Sequence, residues 1–183
     1  MSKKVIVPFA EGFEEIEALT IVDILRRANV EVTMCGLDSL HVKGAHGVTI
    51  VADALLKEIN SDAYDMIALP GGLPGATNLA ADTTLQTLLK AFDAKGKAIA
   101  AICAAPYALK TAGVLKNSYT CYPGFQSKIG GVGYNAIDKV VHDGNITTSQ
   151  GPSTAMLFAL DLVEQLCSAE LALELKKDLL LNL

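Results

Sequence analysis

The sequence predicts an α/β fold, a three-layer sandwich whose mostly parallel central sheet carries helices on both faces. Three observations predict it. Short apolar runs at 3–9, 30–37, 65–69 and 97–102 alternate with stretches of helical periodicity. The opening strand–helix–strand order requires right-handed crossovers and parallel pairing. Turn-forming residues also fall where strands end, at Glu11-Gly12, Pro70-Gly71-Gly72 and Gly151-Pro152.

In chain order, residues 3–9 read as a first strand, bounded by charge and by Pro8, with Glu11-Gly12 as the turn. A helix follows over 14–28, and Asn29 marks its stop before a strand at 30–37. Residues 40–51 hold short β-type pieces around Gly44 and Gly47, a small hairpin at the sheet's periphery. A buried strand at 65–69 ends in Pro70-Gly71-Gly72, a second glycine turn stands at Gly75, and a helix runs over 82–95. The strand at 97–102 leads to Cys103 and a helix over 104–112. After an irregular Gly/Tyr-rich stretch at 116–135, strands at 136–142 and 145–149 are joined by the hairpin signal Asp143-Gly144. Gly151-Pro152 precedes a helix to Leu166, and Ser168 caps a final helix carrying Glu170 and Glu174. No repeat or linker interrupts the 183 residues, so 1–183 reads as a single doubly wound, flavodoxin-like domain with its site at the strands' carboxyl ends.

Composition narrows the partners. With 51% hydrophobic residues the chain can bury a large core, rich in aliphatic side chains because tryptophan is absent. A net charge of -5 without a Lys/Arg stripe argues against a nucleic-acid or anionic-membrane footprint. The longest uncharged apolar stretch, 98–109, is interrupted by Pro106 and falls short of the roughly 20 residues of a membrane span. The apolar run after Lys3-Lys4 is too short for a signal peptide, so a cytoplasmic location is expected. Cys35, Cys103, Cys121 and Cys167 are scattered, with no C-x-x-C or histidine spacing for zinc; thiols are expected, and no metal.

The chemistry centres on Ile99-Ala100-Ala101-Ile102-Cys103-Ala104-Ala105-Pro106. Small residues on both sides of Cys103, with Pro106 opening a helix, spell a strand end, a tight turn and a helix start. A nucleophile on such an elbow is exposed at the sheet edge, and the helix N-terminus favours its anion, so the elbow is expected to push Cys103 toward thiolate. A buried core cysteine ending a parallel strand is spelled the same way.

On the first helix Glu17 shares a stripe with Ile21, Ile24 and Ala28, whereas Glu14 and Glu15 are accounted for as first-turn charges. A carboxyl on an apolar stripe either snorkels to water or keeps its proton; protonated, it can donate to a thiolate. The N–H groups of Gly71, Gly72 and Ala104 are candidate donors to an anion. A phosphate loop is the rival for Gly71-Gly72-Leu73-Pro74-Gly75, but neither G-x-G-x-x-G nor G-K-[ST] is present.

Together, Glu14-Glu15-Ile16-Glu17, Leu69-Pro70-Gly71-Gly72, the Cys103 segment and Thr148-Ser149-Gln150-Gly151-Pro152 resemble the ThiJ/PfpI superfamily along essentially the whole chain, and most closely its protein deglycase/glyoxalase III branch. The resemblance implies a cofactor-free homodimer with Cys103 as nucleophile, Glu17 as its protonated partner, and Gly72 and Ala104 N–H groups beside the sulfur. It implies action on small 2-oxoaldehydes such as methylglyoxal and glyoxal, or on glycated proteins. The alternative is an oxidative-stress sensor or chaperone working through oxidation of Cys103 to sulfinate. Glu14, His46, Tyr122, Gly151 and Pro152 are the further pocket candidates. Tyr122 stands where many superfamily members carry a histidine, which puts a Cys-His-Asp triad in doubt.

Overall fold

The computed structural model describes residues 2–181. Its elements are β1 (Lys4–Phe9), α1 (Glu15–Arg27), β2 (Glu31–Gly36), β3 (His41–Lys43), β4 (Thr49–Val51), β5 (Ala54–Leu55), β6 (Met66–Leu69), α2 (Gly75–Ala81), α3 (Thr83–Ala94) and β7 (Ala98–Ile102). They continue with α4 (Pro106–Ala112), α5 (Gln126–Ile129), β8 (Val140–Asp143), β9 (Ile146–Ser149), α6 (Ala155–Leu166) and α7 (Ala169–Asp178). Seven strands form one sheet in the order β5-β2-β1-β6-β7-β9-β8, parallel except for the β8–β9 edge pair. β3 and β4 make the separate antiparallel hairpin expected from 40–51.

Period-two alternation divides the core into two layers. Val5, Val7 and Phe9 of β1, with Ala100 and Ile102 of β7, pack against α1, α6 and α7. Ile6, Ile99 and Ala101 face Leu79, Leu85, Leu89, Phe92 and Leu109 of α2, α3 and α4. The central strands are buried on both sides, as parallel strands under two helical layers must be. Each fully buried Leu, Ile or Phe stabilises the fold by about 1.5–3 kcal/mol relative to exposure.

Local chemistry sets the element ends. Asn29 takes a left-handed φ of 59° after α1, and Pro106 opens α4. Asp82 caps α3 by accepting the Leu85 N–H at 2.6 Å, and Ser168 caps α7 by accepting the Leu171 N–H at 3.2 Å.

Three expectations need correction. Gly75 is not a turn but the first residue of α2, an element whose small residues and lack of a side-chain cap give no helix signal. The penultimate strand is only β8, because Asn135 turns the preceding chain by accepting the N–H groups of Ile137 and Asp138. The β8–β9 connection is Gly144-Asn145, since Asp143 pairs with Ile146. Among the described residues no helix is long and apolar enough to cross a membrane.

Candidate active site

The carboxyl ends of β6, β7 and β9 converge on Cys103. Its backbone has φ 65°, a left-handed conformation costing a non-glycine residue about 1–2 kcal/mol. Two neighbours hold it there: the Cys103 N–H donates to Ser149 O at 3.0 Å, and its carbonyl accepts from the Tyr122 N–H at 2.9 Å. The thiol thereby faces a cleft of ≈ 400 Å³ lined by Glu14, Ala45, His46, Gly72, Leu73, Cys103, Ala104, Tyr122, Phe125 and Pro152.

Glu17 lies behind the sulfur and does not snorkel: its exposure is 0%, like that of Ile21 on the same stripe. Oε2 accepts the Gly71 N–H at 2.8 Å. Oε1 has no nitrogen or oxygen partner, and the carboxyl interacts with the Cys103 thiol. Burial pushes the Glu17 pKa up to about 7, with the Glu14 charge adding to the rise, while the Gly71 N–H and Cys103 oppose it.

Two expectations about the sulfur change accordingly. The Gly71 N–H is spent on Glu17, leaving those of Gly72 and Ala104 for Cys103. The elbow also does not make a thiolate unaided. Burial and a charged Glu17 raise the Cys103 pKa, and only the two N–H groups lower it. Glu17 and Cys103 thus compete for one proton; with that proton on the carboxyl the charge repulsion disappears, and burial, the larger cause, is left to oppose the two N–H groups.

Glu15 was missed by sequence reasoning as more than a helix-dipole charge. It is buried, and its Oε1 accepts the N–H groups of His46 at 2.8 Å and Val48 at 3.3 Å. Its Oε2 lies 3.0 Å from His46 Nδ1, and Glu14 Oε2 lies 3.6 Å from the same nitrogen. The carboxylate therefore pins the β3–β4 turn over the cleft, aided by the Ala45 N–H donating to Phe13 O at 2.8 Å. Among the described residues, Glu14, Glu15 and His46 are the one group bringing three metal-capable atoms within 4.8 Å of one another, and these donors are engaged with each other and with the turn.

Tyr122 is half-exposed on the cleft wall, and its ring packs against Gly151, where a Cβ would approach to 3.1 Å. Pro152 lines the cleft, while the Gly151 N–H turns inward to Thr154 Oγ1. Phe125, Leu73 and Ala45 are wall residues that no motif indicated. Cys121 is buried, its thiol donating to Tyr122 O. His41 borders a separate cleft with Glu11 and Asp38, and His142 pairs with Asp161 at 3.0 Å.

The DJ-1/PfpI family model matches residues 3–165. DJ-1 homolog B of Arabidopsis thaliana is 40% identical over 99% of this chain, and the chain spans only 42% of that relative's length. The glutathione-independent glyoxalase DJR-1.2 of Caenorhabditis elegans is 38% identical over 93% of this chain and 92% of its own. The crystal structure of Drosophila melanogaster DJ-1beta superposes with a TM-score of 0.96, at 39% identity over 100% of both chains. Sequence and fold agree along the length of the molecule: the chain belongs to the DJ-1/PfpI family.

Proposed function

We propose that the protein is a cofactor-independent, cysteine-dependent enzyme acting on small 2-oxoaldehydes such as methylglyoxal and glyoxal, with glycated protein side chains as a second substrate class. One observation carries the reading: a buried carboxyl with its pKa near 7 lies against a strained cysteine at the floor of an open cleft. The name of the worm relative supports the same class of reaction.

In this reading Glu17 holds the proton and Cys103 attacks as thiolate. A carbon–sulfur bond forms to the aldehyde carbon, and the oxygen becomes an anion facing the Gly72 and Ala104 N–H groups. The oxygen takes the Glu17 proton, leaving a carboxylate poised to act as base. Isomerisation through an enediol turns the hemithioacetal into a thioester. Water then cleaves the carbon–sulfur bond and releases the 2-hydroxy acid and the thiolate. The sum is 2-oxoaldehyde plus water to 2-hydroxy acid, with no net redox change and no added thiol. The reading includes a homodimer, supported by Ile16 and Leu19, apolar side chains that α1 leaves exposed.

The test is lactate formation from methylglyoxal without glutathione. Activity in the native chain and its loss in Cys103→Ser support the assignment; undiminished activity in that variant overturns it. A second reading, oxidation of Cys103 to sulfinate as a stress signal, is favoured by the same pair of N–H donors, which suit sulfinate oxygens. Mass spectrometry under mild peroxide separates the two: the sensor reading requires Cys103 to oxidise well ahead of the exposed Cys167.

A further inference from the structure

Isomerisation of a 2-oxoaldehyde adduct moves two protons, one between the carbons and one between the oxygens. Glu17 lies behind the sulfur, outside the cleft wall, and carries a single exchangeable proton. It suffices for the carbons. The oxygens need a second carrier, and besides Cys103 the cleft wall offers three titratable side chains: Glu14, His46 and Tyr122.

His46 is the one fixed for the task. Its ring is anchored by Nδ1, 3.0 Å from Glu15 Oε2, and its backbone N–H is bound by Glu15 Oε1 at 2.8 Å. The carboxylate selects the tautomer with a proton on Nδ1, and Nε2 has no partner among the described residues. Hydrogen bonding to Glu15, and then the charges of Glu14 and Glu15, raise the His46 pKa and so favour the imidazolium, the form with a proton on Nε2 as well. No motif marked this pairing, because the two residues are 31 positions apart.

We propose that His46, oriented by Glu15, is a further catalytic residue, the proton carrier for the substrate oxygens; the proposal rests on the glyoxalase reading above. As the Glu17 carboxylate removes the hydrogen of the sulfur-bound carbon, that electron pair forms the carbon–carbon double bond. The π pair of the outer carbonyl moves to its oxygen, which takes a proton from Nε2 of the imidazolium. In the return step Glu17 protonates the outer carbon and Nε2 recovers a proton from the hydroxyl on the sulfur-bound carbon. Both residues regain the protonation states in which they began the isomerisation, and the adduct has become a thioester.

The experiment compares native protein, His46→Gln, Glu15→Gln and Cys103→Ser in lactate formation from methylglyoxal, together with alkylation of Cys103 by iodoacetamide. General acid–base assistance of this kind contributes on the order of 10²-fold or more, so His46→Gln is expected to lower kcat about 100-fold with KM little changed. Its alkylation rate should stay native, reporting an intact cleft, and added imidazole should restore part of kcat. Glu15→Gln should move the alkaline limb of the kcat profile to lower pH, since the carboxylate that raises the His46 pKa is gone. Native kcat in His46→Gln, or a loss that imidazole does not rescue, overturns the proposal while leaving the Cys103 assignment standing. Absence of lactate from the native chain overturns both.

Discussion

The Glu17 carboxyl and the Cys103 thiol meet across a missing side chain. A Cβ on Gly71 would lie 2.7 Å from Cys103 Cβ and 2.8 Å from Glu17 Oε2, so the backbone of Gly71 fills the space between carboxyl and thiol. Because Gly71 also donates its N–H to that same carboxyl, it sets both the separation of the pair and the orientation of Glu17.

Gly71→Ala is therefore expected to be worse than an ordinary glycine replacement. The methyl meets Ile102 O at 3.0 Å as well as both site residues, and overpacking of this kind costs about 1–3 kcal/mol. Urea unfolding should register the loss, and iodoacetamide should report altered Cys103 reactivity. A variant of native stability and native thiol reactivity would show that the pair is not set by this close approach.

Glu17 makes stability depend on pH in a direction opposite to that of a salt-bridged carboxylate. Its folded pKa, about 7, lies above the ordinary 4.5, so its contribution is fully present below 4.5 and is lost as pH rises through 7. The shift corresponds to about 3 kcal/mol across that window. Urea melts at about pH 5 and about pH 8 should show the native protein losing stability relative to Glu17→Gln, which cannot ionise there. An identical pH dependence in the two proteins would mean that burial does not perturb this carboxyl.

The contrast between Glu17 and Glu15 shows what the sequence made legible. Helical spacing was enough to put Glu17 on the stripe of Ile21, Ile24 and Ala28, all four of which are buried. The strand-to-helix punctuation around Cys103 was likewise local, and the elbow stands where it was read. Glu15 is buried by a hairpin turn about 30 residues later, through tertiary contacts that periodicity along one helix cannot report. Which acceptor each N–H of Gly71 and Gly72 serves was equally out of reach, since that depends on angstrom-scale placement of β6 against α1. α2 escaped for a different reason: Gly75, Ala76, Ala80 and Ala81 offer little apolar contrast between faces, and packing against α4 rather than local propensity makes them helical.

Glu15→Gln should loosen the cleft wall without unfolding the sheet. The amide keeps one acceptor oxygen but loses the charge that binds the His46 ring and the turn's N–H groups; bonds to a charged group contribute about 1.5–3 kcal/mol. Amide exchange should quicken at His46 and Val48 while Ile99 to Ile102 in β7 keep native protection. Uniform acceleration across the sheet would instead make Glu15 a global stabiliser.

The elbow's backbone conformation can be weighed by comparing two replacements of Cys103. At an ordinary α or β position glycine is less stable than alanine, because the unfolded chain gains freedom. Cys103 sits at φ 65°, where any Cβ meets the following carbonyl, and glycine escapes that clash. Cys103→Gly should consequently be more stable than Cys103→Ala by about 1 kcal/mol, although it buries one carbon fewer. The hydrogen bonds to Ser149 O and from the Tyr122 N–H are backbone bonds and persist in both variants, so the difference isolates the strain at this residue. Urea unfolding of the pair at a single pH measures it. If the alanine variant is the more stable, the left-handed turn stores no strain, and the sulfur's position owes nothing to it.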